Sequence, residues 1–202
     1  MIKLNELELD ALGEIFNHGV GQAAHALSQL ADETVTLTVP RIESISKREL
    51  TRQLNSQGAG RICAVRQEFS GVVNTDSLLM FPFEHSLRLV QMIIGNDIPL
   101  EQVREMEQES LSEIGNILLN SVVASVADML LIEFEGGLPT VEVGEVSTVL
   151  CSDGSNDDLV LSLQINFEIA SREIQGYLVF LLDLPSSETL MTKIASFIDS
   201  LK

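Results

Sequence analysis

The chain has 202 residues, 45% of them hydrophobic and only 4% aromatic with no Trp, so it holds enough Leu, Ile, Val, Ala and Met for a full core. Lys and Arg number 12 against 30 Asp and Glu, a formal net charge of -18. That balance excludes a nucleic-acid partner, which needs clustered cations to displace counterions, and disfavours an anionic membrane surface for the same reason.

The opening MIKLNELELD is charged where a secretory leader would be apolar. The nearest membrane-length stretch, 117–132, is interrupted by Asn120, Ser121, Ser125 and Asp128, so no span and a cytoplasmic location are expected. In chain order, apolar residues at helical spacing from Leu9 to Leu30 predict a first helix, with Asn5 and Glu8 as its capping box and Gly19 and Gly21 loosening its middle. Strands are predicted over 34–39, 60–69 and 76–81, and Pro82 opens a helix that stops at Gly95. A long helix follows Pro99 to about 131, then strands over 140–150, 159–169 and 175–182, then a helix over 186–201. Cys63 and Cys151 have no second thiol at ligand or redox spacing and are expected to be free.

The second half repeats the first. Leu12, Glu14, Ile15 and Asn17 recur as Leu111, Glu113, Ile114 and Asn116, an offset of 111 - 12 = 99, and the same offset carries Pro40 to Pro139 and Glu43 to Glu142. Each half therefore reads helix, three strands, helix, with halves at approximately 1–98 and 99–202. The expected architecture is α+β: one domain in which two pseudosymmetric units form one six-stranded, mainly antiparallel sheet with helices packed on it.

On a helix, Asp10, Glu14, Asn17 and Gly21 fall on one stripe, and so do Glu109, Glu113, Asn116 and Asn120. A carboxylate and a carboxamide one turn apart are commonplace on solvated helices; their duplication at fixed offset, each with a Pro 22 intervening residues past the Asn, is not.

The spacing Asp/Ser-x3-Glu-x2-Asn-x22-Pro resembles the signature of the CheC family of phosphatases, which includes CheX- and FliY-type proteins. It is met as Asp10, Glu14, Asn17, Pro40 and again as Glu109, Glu113, Asn116, Pro139. Two complete motifs in a chain this short look most like CheC. The resemblance implies hydrolysis of the phosphoaspartate of a CheY-type receiver domain, terminating a chemotaxis or two-component signal. It implies Glu14, Asn17, Glu113 and Asn116 as catalytic residues and the motif's Asp10, Glu109, Pro40 and Pro139 as support. No cofactor of its own is expected, the Mg2+ being the receiver's, and a CheD-type deamidase is implied as a second partner. Glu109, in the second motif, stands where the family usually has Asp or Ser but keeps a carboxylate; Phe16, in the first, stands where Gly is common, and that bulky ring beside Asn17 favours the second site over the first. A non-enzymatic adaptor that binds a receiver or a CheD-type deamidase is the alternative. His18, one turn from Glu14, reads as incidental, and the polar run 152–158 as a hairpin turn rather than a calcium loop.

Overall fold

A computed structural model describes residues 4–31, 33–58, 60–95, 98–150, 159–169 and 172–200. Cys151 and the run 152–158 lie outside the described residues. Helix α1 (Glu6–Ala31) opens on the expected box: Glu8 N–H donates to Asn5 Oδ1 at 3.0 Å, and Asn5 N–H donates to the Glu8 carboxylate at 2.7 Å. The chain continues through β1 (Val35–Ser46), α2 (Lys47–Ser56), β2 (Arg61–Gly71), β3 (Thr75–Pro82), a 3-10 turn (Phe83–His85) and α3 (Ser86–Ile94). Its second half runs α4 (Leu100–Leu130), β4 (Phe134–Gly136), β5 (Thr140–Glu145), α5 (Val146–Leu150), β6 (Leu159–Ile169), β7 (Arg172–Leu182) and α6 (Leu184–Ser200).

Three elements depart from the expected helix, three strands, helix: α2, α5 and the short strand β4, which was not expected. A helix, α2, follows β1 because Ser46 Oγ accepts from the Glu49 N–H at 3.2 Å and Leu50 and Leu54, one turn apart, are both buried. The strand expected over 140–150 ends at Glu145, and Val146, Val149 and Leu150 bury one side of the short helix α5 instead. The first strand also runs on to Ser46 rather than stopping at residue 39.

All strand pairs are antiparallel, in the order β1-β6-β7-β3-β2, with β4 and β5 laid end to end along the free edge of β2. The sheet is thus six strands wide with one edge strand in two pieces. Hairpins β2–β3 and β6–β7 pair within their halves. The first strands do not: with α2 and α5 interposed, β1 pairs with β6 and β5 with β2, so each completes the other half's edge.

Alternation along the strands splits the core. Cys63, Val65, Leu79, Phe81, Leu163, Ile165, Leu178 and Phe180 face the layer that contains α1, α3, α4 and α6. Ala64, Leu78, Met80, Val160 and Val179 face α2 and α5. An 18-residue window of α4 does meet the length and apolarity of a membrane span, against expectation, yet half of that window is buried inside the fold, as in a core helix. Nor does Gly19 loosen α1. It is buried where α1 crosses α4, and a Cβ there would lie 2.7 Å from the Val122 Cα.

Candidate functional site

The burial of α1 decides which side chains it offers. Leu12, Ile15 and Phe16 are buried, which leaves Asp10, Glu14 and Asn17 exposed on the opposite face. On α4, Leu111, Ile114 and Gly115 are buried, Glu109 and Glu113 are exposed, and Asn116 is half-buried.

Each stripe has a bulged proline beside or tethered to it. In β1, Thr38 pairs with Asn166 and Arg41 with Gln164, so Val39 and Pro40 hold one extra residue against their partner strand. On the opposite edge, Gly136 pairs with Phe69 and Thr140 with Arg66, so the Gly137–Pro139 segment also holds one extra residue. Proline cannot donate to a sheet ladder and is tolerated at such edge bulges. The first bulge closes one side of an open cleft of about 960 Å³, lined by Asp10, Glu14, Asn17, Pro40, Arg41 and Ile198 among others. Arg41 pairs at 2.6 Å with Glu43 on the same strand.

The second stripe is built differently. Asn120 Nδ2 donates to Asn116 Oδ1 at 2.8 Å, to the Asn116 carbonyl at 2.7 Å and to Gln67 Oε1 at 3.3 Å. Gln67 is only 3% exposed and donates through Nε2 to the Gly137 carbonyl at 2.9 Å, while the Gly137 N–H donates to the Glu68 carbonyl at 2.8 Å. A hydrogen-bonded chain therefore runs from the Asn116 carboxamide on α4, through β2, to the bulge that carries Pro139.

The sequence places the chain among known proteins through the first of these stripes. The family model described as the CheC-like family matches residues 7–44, the segment that holds Asp10, Glu14, Asn17 and Pro40. Over that segment the chain resembles the CheC-like family. It is 23% identical over 202 residues to the CheY-P phosphatase CheC of Bacillus subtilis (strain 168), covering 96% of each chain. In fold it is similar to the crystal structure of Thermotoga maritima FliY, with a TM-score of 0.76, 19% identity and coverage of 97% and 100%. It is also similar to a chain of the Borrelia burgdorferi CheX-CheY-BeF3-Mg2+ complex, with a TM-score of 0.50, 16% identity and coverage of 83% and 98%.

The expected obstacle at the first site, a bulky ring crowding Asn17, is not there. The Phe16 ring is 2% exposed and stacks on Phe180, with centroids 5.6 Å apart and planes 5° from parallel. It points into the core, away from the exposed Asn17. Gly115, at the same place in the second half, serves helix packing instead. A Cβ there would lie 2.4 Å from Val65 Cγ1, so glycine lets α4 settle directly on β2.

Among the described residues, two further nucleophile and base candidates make no hydrogen bond to either stripe. His18 is exposed and hydrogen-bonded through Nε2 to the Gln22 side chain at 3.0 Å. Cys63 is buried, and burial, aided by Glu107 and Glu142, pushes its thiol up to about 12; it stays protonated and unreactive near neutral pH. Sequence reasoning missed Gln67, although its signal was present: a polar side chain on the Cys63, Val65, Phe69 face of β2, where every neighbour is apolar.

Proposed function

We propose that this chain is a phosphatase that hydrolyses the phosphoaspartate of a CheY-type receiver domain, with Glu14/Asn17 and Glu113/Asn116 as two sites. The observation that carries the reading is the pairing, twice, of a Glu/Asn stripe on a helix with a bulged proline on an edge strand, the two pairs meeting one motif. The similarity to a CheY-P phosphatase along nearly the whole chain supports it.

The chemistry asks little of such a site. Phosphoaspartate is an activated acyl phosphate, and the receiver supplies its own Mg2+, so what remains is to place a water in line with phosphorus. A carboxamide suits this: its oxygen accepts from the water while its nitrogen donates to the phosphoryl group. Asn17 and Asn116 take that role. Glu14 and Glu113, one turn away, pair with the receiver's active-site Lys and hold the Asn in register. Asp10 and Glu109 extend the acidic face, and Pro40 and Pro139 shape the bulge on its flank.

The same reading takes the chain as one domain of two repeats, 1–98 and 99–202, working in the cytoplasm, with a CheD-type deamidase as a second partner. Steady-state phosphate release from an excess of phosphorylated receiver tests the phosphatase. The wild type should release many equivalents of phosphate, and the double variant Asn17→Ala, Asn116→Ala should lose that release by on the order of a hundredfold or more. Stoichiometric binding without turnover would leave the adaptor in its place.

A further inference from the structure

We infer that Asn120 is a positioning residue of the second site, which with Gln67 holds the Asn116 carboxamide in one orientation before any receiver arrives. The inference rests on the phosphatase reading above and adds a difference between the two sites to it.

Asn120 Nδ2 shares its two hydrogens among three oxygens: Asn116 Oδ1, the Asn116 carbonyl and Gln67 Oε1. Holding both the backbone and the side-chain oxygen of Asn116 fixes the side chain against its own helix. Asn120 is itself fixed, because its other partner, Gln67, is buried in β2 and anchored at its far end to the Gly137 carbonyl. A buried amide with both ends satisfied is costly to rearrange, since either end would be left unpaired. The donor to Asn116 is therefore held by the sheet rather than by solvent. With Oδ1 turned toward Asn120, the Asn116 Nδ2 hydrogens stay available to a phosphoryl oxygen, and the second lone pair of Oδ1 stays available to a water.

The first site has no such device. Gly21 stands where the 99-residue offset places Asn120, so α1 has no donor one turn beyond Asn17. Among the described residues the Asn17 carboxamide makes no side-chain hydrogen bond, and it is exposed. Asn17 must lose its rotamer freedom when a receiver binds, whereas Asn116 has lost it on folding. Preorganisation of a reacting group shows in turnover more than in binding, so the second site should be the faster of the two.

Two measurements on the full chain test this. In the first, with no receiver present, the side-chain amide of Asn116 should be rigid by 15N relaxation and that of Asn17 mobile, and Asn120→Asp, which keeps the shape but removes the donor, should release Asn116. In the second, the substrate is a CheY-type receiver phosphorylated by acetyl phosphate in Mg2+. With Asn17→Ala leaving only the second site, Asn120→Asp should lower kcat by on the order of tenfold with KM within about twofold. With Asn116→Ala leaving only the first site, Asn120→Asp should change neither. Asn120→Ala, which has no side-chain donor, serves as a second variant, and unfolding curves confirm that each variant is folded. An Asn116 amide as mobile as that of Asn17, or an unchanged kcat at the second site, overturns the positioning role. Absence of turnover in the wild type overturns the phosphatase reading itself, and with it any catalytic meaning of an ordered Asn116.

Discussion

Phe16 and Asp76 show how far one side chain can mislead or constrain. Phe16 lies next to Asn17 in sequence but is buried where Asn17 is exposed, with its ring stacked on Phe180. Phe16→Ala should cost about 3–5 kcal/mol of stability, read by urea unfolding, from the lost ring and the cavity it leaves. Turnover at the first site, measured below the unfolding transition in an Asn116→Ala background, should hold within about twofold; a tenfold fall would put the ring in the site. Asp76 is a different case. Its Oδ2 accepts from Arg66, while its Oδ1 is buried with no partner. Burial raises its pKa above the ordinary 3.8 by more than Arg66 lowers it. The folded chain thus keeps a proton that the unfolded chain gives up, so this contribution to stability is full at low pH and is lost as pH rises through the folded pKa. Asp76→Asn cannot lose it. As pH rises above the ordinary 3.8, the stability of Asp76→Asn relative to wild type should rise; a difference in thermal unfolding that stays flat with pH would contradict the assignment. The pairs Glu14/Asn17 and Glu113/Asn116 could be placed on one helix face each from spacing alone. The contact of Gln67 with Asn120 was not legible, since nothing in the sequence says which helix residue a buried strand amide will meet.

Among the elements, α1 and α4 carry the stripes and two glycines set how closely those helices pack. A methyl at Gly19 would meet backbone, the Val122 Cα at 2.7 Å and the Ser121 carbonyl at 2.9 Å, whereas the atoms nearest a methyl at Gly115 belong to the Val65 side chain. Both Gly19→Ala and Gly115→Ala should destabilise by about 1–3 kcal/mol through overpacking. Val65→Ala should restore part of the loss in Gly115→Ala and none in Gly19→Ala, a difference that a double-mutant cycle in urea resolves. Equal recovery in both would mean that the clashes lie elsewhere. The long helices were readable from apolar periodicity, and the α1 cap from Asn5 and Glu8. Helix α2 was also written in the sequence, as Ser46 and Glu49 followed by Leu50 and Leu54, but a ten-residue helix between strands is easily taken for a loop. For α5, only five residues long, the β-branched Val146, Thr148 and Val149 favoured a strand until packing on α2 decided otherwise.

For the whole molecule, the order β1-β6-β7-β3-β2 with β5 at the end reads the same from either edge when each strand is named by its place in its half. That exchange of first strands puts Pro40 and Pro139 on opposite edges, and the two sites with them. It was not legible beforehand, because hairpin pairing between neighbours is the default and only the interposed helices break it. On the proposed reading, each edge engages a receiver of its own. The most direct test is phosphate released per chain, under a large excess of phosphorylated receiver, for wild type, Asn17→Ala, Asn116→Ala and the double variant. Two working sites predict multiple turnovers in the wild type, residual turnover in each single variant with the greater loss in Asn116→Ala, and none above the receiver's own decay in the double variant. Phosphate release by the double variant at the wild-type rate would contradict them.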